Sequence, residues 1–318
     1  MRALVAMLVL LAAWLTAAVA LAAGRIVAAG PPANVLVHAL APERMLGWVR
    51  QPSAGERAFL PAATRDLPEI GRLTGRAGTV SLERLVAEGA DLIVDVGSTG
   101  PTYRSLAERV EAQTGIRYLL LDGSLAATPA TIRALGRALA ATDRAEALAA
   151  YAEETFALVD ALPRGLVSAY LARGPEGLET GTQGSINTEI LERAGAVNVA
   201  VQPGRQAITA VSLEQVLAWN PAVIITLDPR FPARAAADPL WRAVAAVRGG
   251  RVHVAPALPF GWIDSPPGIN RLIGLRWLAA ILHPGLVRID MRAEARRFYR
   301  LAYHLDLDEA ALDRLLGG

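Results

Sequence analysis

Two stretches of the sequence, 131 residues apart, repeat one pattern. Residues 81–95 read SLERLVAEGADLIVD, and residues 212–226 read SLEQVLAWNPAVIIT. In each stretch a serine precedes a short helical pattern, a tight turn follows, and an unbroken apolar run ends the unit. Serine favours the N-cap of a helix, and apolar runs without alternation are typical of parallel strands covered on both faces. The chain is therefore predicted to contain two similar α/β lobes.

Further apolar runs and helical patterns alternate along the chain. Strands are predicted at 25–29, 118–121, 166–171 and 252–254, and helices at 34–40, 105–113, 129–141, 186–194 and 271–282. Such alternation gives parallel sheets with right-handed crossovers. Residues 143–162 contain no glycine or proline and are rich in Ala, Glu and Leu, which predicts a helix about 30 Å long.

The predicted fold is α/β, with two Rossmann-like lobes of parallel sheet joined by a long rigid α-helix. We assign residues 25–142 to an N-terminal lobe, 143–163 to the linker helix, and 164–318 to a C-terminal lobe with its C-terminal helices. A helix is a stiff connector, so we expect limited hinge motion between the lobes.

Residues 1–22 have the features of a secretory signal peptide. Met1-Arg2 is a short positive start, residues 3–19 are apolar, and Ala20-Leu21-Ala22 fits the small-residue pattern before a cleavage site. A transmembrane anchor is the alternative, but the apolar run, about 17 residues, is at the lower edge of what spans a bilayer. The chain has no cysteine and so no lipid-modified N-terminal cysteine. We expect an exported periplasmic protein without a lipid anchor.

Composition excludes several classes of function. The 32 basic residues, all arginine, nearly balance 30 acidic ones, so no basic block indicates nucleic-acid binding. Without lysine there is neither a phosphate-binding P-loop nor Schiff-base catalysis, and no Gly-x-Ser-x-Gly elbow occurs. Four histidines show no metal-ligand spacing, so neither a metal site nor a cofactor is predicted. A binding protein is favoured over an enzyme, with a hydrolase or chelatase as the alternative.

Three phrases carry a resemblance to a known family. They are the two repeated stretches and Ala194-Gly195-Ala196-Val197-Asn198-Val199. With the order of signal peptide, lobe, long helix and lobe, about residues 25–305 resemble the substrate-binding proteins of ABC importers for iron–siderophore complexes, haem and cobalamin. The resemblance implies a monomer that captures an iron–siderophore or similar bulky metal chelate between its lobes and delivers it to an ABC permease and its ATPase. Cobalamin or haem binding, and a periplasmic sensor or scaffold that uses the same cleft, are the alternatives.

The resemblance also implies a docking role for one glutamate in each repeat. Glu83 and Glu214 stand where the family places carboxylates that pair with arginines of the permease. The alternative is that each glutamate only favours the N-terminal end of its own helix through the helix dipole.

Ligands of open α/β sheets bind beyond the carboxyl ends of the strands. The loops at 30–34, 97–104, 173–185 and 259–267 are therefore the predicted rim of the site. Tyr103 and Trp262 lie in Gly/Pro-rich segments, where an aromatic ring is not needed for packing on the apolar face of a helix. Each ring could therefore stack on a macrocycle or a catecholate of the ligand. Ordinary loop packing is the alternative for both.

Six further residues complete the predicted ligand site. Arg104 adjoins Tyr103 and could form charge-assisted hydrogen bonds to an anionic chelate. Trp48 contacts the ligand or fills a core gap, and Asp264 contacts the ligand or forms an Asx turn. Ser185 is expected to cap a helix that begins near Ile186. The last two candidates are the rim residues Thr99 and Asn34.

Overall fold

The computed structural model describes residues 24–74, 78–202 and 207–317. The predicted signal peptide lies outside these residues. The chain divides into two compact units. The N-terminal unit runs to Ser53 and includes Pro61–Gly123 and Ala127–Ala149; the C-terminal unit takes Ala54–Leu60, Ser124–Ala126 and the chain from Ala150 onward.

The N-terminal unit is built on a three-stranded parallel sheet. Its strands are β1 (Ile26–Ala28), β2 (Leu92–Gly97) and β3 (Arg117–Asp122), in the order β1-β2-β3. The sheet packs its apolar side chains against the flanking helices, so residues such as Val27, Ile93 and Val110 are almost fully buried. All three strands lie where the sequence predicts them.

The helices of the first half of the chain follow in order. They are α1 (Pro31–Leu40), α2 (Ala54–Arg57), α3 (Ala62–Arg65), α4 (Leu82–Ala87), α5 (Pro101–Thr114), α6 (Thr128–Ala138) and α7 (Thr142–Asp160). Helix α7 is the predicted long helix and has 19 residues. Because its interior holds no helix breaker, it runs unbroken to Asp160, two residues short of the predicted end.

The C-terminal unit contains a second parallel sheet. Strands β4 (Ser168–Ala172), β6 (Val197–Asn198), β8 (Val223–Thr226) and β9 (Val252–Val254) stand in the order β6-β4-β8-β9. A separate antiparallel pair, β5 (Glu179–Gly181) and β7 (Ile208–Ala210), was not predicted. These two strands have three residues each, too few for a recognisable alternation.

The remaining helices cover this second sheet and form the C-terminal end of the described chain. They are α8 (Glu189–Arg193), α9 (Leu213–Trp219), α10 (Phe231–Ala237), α11 (Ala245–Arg248), α12 (Arg271–Leu282), α13 (Met291–Tyr303) and α14 (Glu309–Leu316). None of the helices in the described residues is both long and apolar enough to cross a bilayer.

The repeated pattern is confirmed in three dimensions. Ser81 caps α4, where its Oγ accepts the Arg84 N–H at 3.2 Å. Ser212 caps α9 in the same way, with Gln215 N–H as donor at 3.3 Å, and the Gln215 side chain accepts the Ser212 N–H in return. The strands that follow, β2 and β8, are both interior strands of their parallel sheets. The α/β fold class with parallel sheets and a long helix is thus confirmed.

Candidate ligand-binding site

The N-terminal unit places Tyr103 and Arg104 just beyond the carboxyl end of β2. They do not lie in a loop as predicted, because α5 begins at Pro101 and includes both. Proline suits the first helical position, where its missing N–H leaves no bond unmade. Tyr103 is 39% exposed. The Arg104 Nε donates to the Thr99 carbonyl at 2.8 Å, and the described residues offer its guanidinium no carboxylate partner.

Trp48 and Asn34 lie in the interior of the same unit. Trp48 is 1% exposed, stacks on His38 with ring centroids 5.4 Å apart, and donates its indole N–H to the Thr64 carbonyl at 2.8 Å. Asn34 accepts the Val49 N–H at 2.7 Å and donates to the Gly47 carbonyl. These contacts bear out the core-filling alternative for Trp48, and both side chains fix the chain that follows α1. We do not retain either in the ligand site.

Asp95 is a buried carboxylate on β2. It accepts hydrogen bonds from the Tyr118 hydroxyl at 3.0 Å and the Thr74 hydroxyl at 3.2 Å. Burial raises the pKa of Asp95, and these hydrogen bonds oppose the rise only in part. Burial also raises the pKa of Tyr118. The only sequence signal for Asp95 is its place in the first repeat, where the second repeat has Thr226.

In the C-terminal unit, the polar side chains near the predicted rim form hydrogen bonds and an ion pair with one another. Asp264 is 2% exposed and accepts from the Arg173 guanidinium, from Asn187 Nδ2 at 3.0 Å and from the Ser265 N–H at 2.7 Å. The Asx turn, one of the two alternatives for Asp264, does not form, because residue 266 is a proline without an N–H and the side chain accepts the Ser265 N–H instead. Arg173 follows β4 directly, and its Nε also lies 3.5 Å from the half-exposed Glu179 carboxylate.

Trp262 and Ser185 differ from their predictions. Trp262 is fully buried, and its indole N–H donates to the Tyr299 hydroxyl at 3.3 Å. The premise that this ring has no packing surface is therefore wrong. Ser185 does not cap a helix, since α8 begins at Glu189 after Thr188. The Ser185 hydroxyl instead shares a 2.9 Å hydrogen bond with Thr188.

The two units differ in whether the arginines near the ends of their strands are paired with carboxylates. After β8, Asp228 accepts hydrogen bonds from Arg230, which lower its pKa to about 2. Arg173 and Arg230 are thus both paired with carboxylates, whereas Arg104 has no carboxylate partner in the described part of the chain. The described residues contain no group of three His, Asp or Glu side chains arranged to hold a metal ion. What the geometry offers to a ligand is a cation and hydroxyl groups, which suit an anion.

A family model described as periplasmic binding protein matches residues 74–258, more than half of the chain. The chain belongs to the periplasmic binding protein family. Membership of this family confirms the predicted class of the chain, a periplasmic binding protein rather than an enzyme.

Individual family members show how far the likeness extends. The molybdate-binding protein MolA of Haemophilus influenzae is 34% identical over 125 residues, which are 37% of this chain and 35% of MolA. The alignment thus spans about a third of that relative. An ABC transporter solute-binding protein from Sulfurospirillum deleyianum superposes with a TM-score of 0.84 at 24% identity, covering 93% of this chain and 94% of its own. MolA bound to molybdate superposes with a TM-score of 0.70 at 21% identity, over 90% and 94% of the two chains.

Glu83 and Glu214 of this binding protein occupy equivalent exposed positions in the first turns of α4 and α9. The pKa of Glu214 is lowered, chiefly by a hydrogen bond with Ser212. The repeat accounts for their equivalence, whereas their docking role rests on the family resemblance and stays a prediction. Arg173 was not singled out, although its place directly after a predicted strand was the available signal. Its partner Asp264 lies 91 residues further along the chain, which no local pattern could connect.

Proposed function

We propose that this periplasmic binding protein captures an anionic metal species, with molybdate as the first candidate, and delivers it to an ABC permease and its ATPase. The observation that carries this proposal is the 34% identity with a molybdate-binding protein over 125 residues. We further propose that the protein acts as a monomer in the periplasm, released there by cleavage of its signal peptide.

The polar groups beyond β2 support an anionic ligand. Arg104 has no carboxylate partner among the described residues, and it lies in the first turn of α5, where the positive end of the helix dipole also favours negative charge. A guanidinium binds oxyanions through charge-assisted hydrogen bonds. We retain Arg104, Tyr103 and Thr99 as the ligand contacts of this unit.

An iron–siderophore chelate is the second candidate. It is favoured by the exposed ring of Tyr103 next to Arg104, because an aromatic face beside a cation suits a catecholate complex. Haem and cobalamin are alternatives of the same class. In all these cases the metal enters with the ligand, so the protein itself need not supply a metal ligand.

Isothermal titration of the mature protein with molybdate, tungstate, sulfate, a ferric catecholate siderophore, haem and cobalamin tests the ligand. We expect saturable binding of molybdate and tungstate, weaker binding of sulfate, and at least a tenfold loss for Arg104→Ala. Arg133→Ala is the matched control, because Arg133 is paired with Glu146 on the surface of the same unit. Binding of the siderophore without molybdate would replace the first candidate by the second. Binding of none of these ligands would refute the proposal.

Uptake in cells tests the docking role of Glu83 and Glu214. The double charge reversal, Glu83→Arg with Glu214→Arg, should abolish uptake while ligand binding and folding are unchanged. The control reverses the exposed Glu108 and Glu176 instead, and it should leave uptake intact. Normal uptake by the first double variant would show that the two carboxylates do not dock the permease.

A further inference from the structure

A depression of about 380 Å³ opens on the surface of the N-terminal unit, along one side of α5. One wall comes from α5: Thr102, Tyr103, Ser105, Leu106 and Arg109. Thr102, Leu106 and Arg109 are spaced by four and three residues, which places them on one face of the helix. The opposite wall is the segment Leu73–Thr74.

The Leu73–Thr74 wall is held in place by the sheet beneath it. The backbone N–H groups of both residues donate to the Ala29 carbonyl, at 2.8 and 2.9 Å. The Thr74 hydroxyl donates to the buried Asp95 carboxylate. The wall is thus already ordered, so a ligand would not have to pay the entropy of arranging it.

The polar side chains on the α5 wall of the depression have no side-chain partners among the described residues. Arg109 forms no ion pair there, and the hydroxyls of Thr102, Ser105 and Tyr103 form no side-chain hydrogen bonds. The carboxylate beneath the wall, Asp95, is buried and already bonded by Thr74 and Tyr118. The depression therefore offers one guanidinium and several hydroxyls to an anionic group.

The apolar part of the lining decides which anion fits. Leu73, Leu106 and the ring of Tyr103 give a surface that a small tetrahedral oxyanion would leave uncovered. A volume of about 380 Å³ is near the lower end of the range for small-molecule sites, which suits one aromatic ring rather than a bulky chelate. A carboxylate matches a guanidinium through two parallel hydrogen bonds.

We propose that this depression is a second binding site, and that it takes a small aromatic carboxylate. The carboxylate lies on Arg109, with Ser105 and Thr102 as further donors, and the ring lies against Leu106 and Leu73. The site shares Tyr103 with the proposed metal-anion contact but is centred on Arg109 rather than Arg104. Variants of Arg109 and of Arg104 therefore test the two proposals separately.

Titration of the full mature protein with benzoate and salicylate tests the site, by calorimetry and by saturation-transfer NMR. Both probes should bind with a dissociation constant of 1 mM or tighter, on the scale of such small ligands. Arg109→Ala should weaken binding at least tenfold, and Arg109→Lys by less, because lysine keeps the charge but loses the paired geometry. Arg117→Ala, at an exposed position on β3, is the matched control and should change the affinity less than twofold.

Neutral and non-aromatic probes separate this site from a general anion surface. Benzamide, acetate and inorganic phosphate should each bind at least tenfold more weakly than benzoate. Ser105→Trp, at an exposed position, should fill the depression and block benzoate while Arg109 is unchanged. The inference is overturned if benzoate does not bind at 10 mM, if Arg109→Ala binds it normally, or if phosphate binds as tightly. Molybdate titrated in parallel should bind Arg109→Ala as it binds the parent protein, so a failure of either proposal is seen separately.

Discussion

Each unit buries one aspartate among its described residues, and the two aspartates differ in the charge of their hydrogen-bond donors. Asp95 in the N-terminal unit is 4% exposed and receives hydrogen bonds from two neutral hydroxyls. Asp264 in the C-terminal unit is 2% exposed and receives a guanidinium as well as two neutral donors. A buried charge needs an opposite charge to offset its lost hydration. Asp264 therefore anchors the folded chain through its ion pair with Arg173, whereas the buried charge of Asp95 destabilises the folded state.

Replacing a buried aspartate by asparagine should change the stability of the protein more at Asp264 than at Asp95. In Asp264→Asn, the amide would deprive the largely buried Arg173 guanidinium of its buried carboxylate partner, while the half-exposed Glu179 carboxylate stays 3.5 Å from its Nε. Removing one partner of a buried ion pair is strongly destabilising, so we expect the free energy of unfolding to fall by about 3 kcal/mol. Urea unfolding followed by circular dichroism measures it. Asp228→Asn is the control, because its partner Arg230 is exposed, and it should cost less than about 1 kcal/mol. A loss below that for Asp264→Asn would mean that the ion pair does not anchor the loop.

The aromatic residues near the two aspartates should follow the same contrast. Trp262 is fully buried, and Trp262→Phe would leave a cavity and remove the hydrogen bond to Tyr299. We expect a loss of about 2 kcal/mol. Tyr103→Phe removes a hydroxyl from a half-exposed ring and should change stability by less than about 0.5 kcal/mol. Thermal and urea unfolding of both variants decide this, and equal effects would contradict the assignment of Trp262 to the core.

A substitution of Glu179 tests whether Arg173 can bind an anionic ligand. Its carboxylate is 44% exposed and 3.5 Å from the Arg173 Nε, so it is the weaker of the two counter-charges. If Arg173 contributes to anion binding, Glu179→Gln should tighten molybdate binding by up to about tenfold, or about 1.4 kcal/mol, because one competing negative charge is lost. Calorimetric titration at low ionic strength measures the change. The paired surface residue Glu176 provides the control, as Glu176→Gln. An unchanged or weaker affinity in Glu179→Gln would confine the anion contacts to the N-terminal unit.

Local sequence signals predicted the framework of both units but not the way in which their polar groups pair. Ser81 and Ser212 were identified as caps because a cap depends on residues within three positions. The start of α5 lies four residues before the predicted one, because the Gly/Pro-rich pattern at 97–104 is typical of a loop, although proline also favours the first helical turn. The burial of Trp262 depends on Tyr299, and that of Asp264 on Arg173, partners 37 and 91 residues away. Contacts at such separations leave no periodicity in the sequence.

The smallest and most diagnostic effect is expected at Asp95. Because burial raises its pKa in the folded state, folding binds a proton more tightly there, and stability falls as the pH rises through the folded-state pKa. Thr74 and Tyr118 donate to different oxygens of Asp95. Asp95→Asn keeps one acceptor oxygen for one hydroxyl, donates its amide N–H to the other hydroxyl, and has no charge to bury. We expect this variant to equal or exceed the parent in stability at pH 8, by less than about 1 kcal/mol, and to lose that advantage toward pH 4. Urea unfolding at the two pH values measures the difference. If the stability of Asp95→Asn relative to the parent protein instead increased toward pH 4, Asp95 would anchor the fold as Asp264 does. The contrast between the two buried carboxylates would then be wrong.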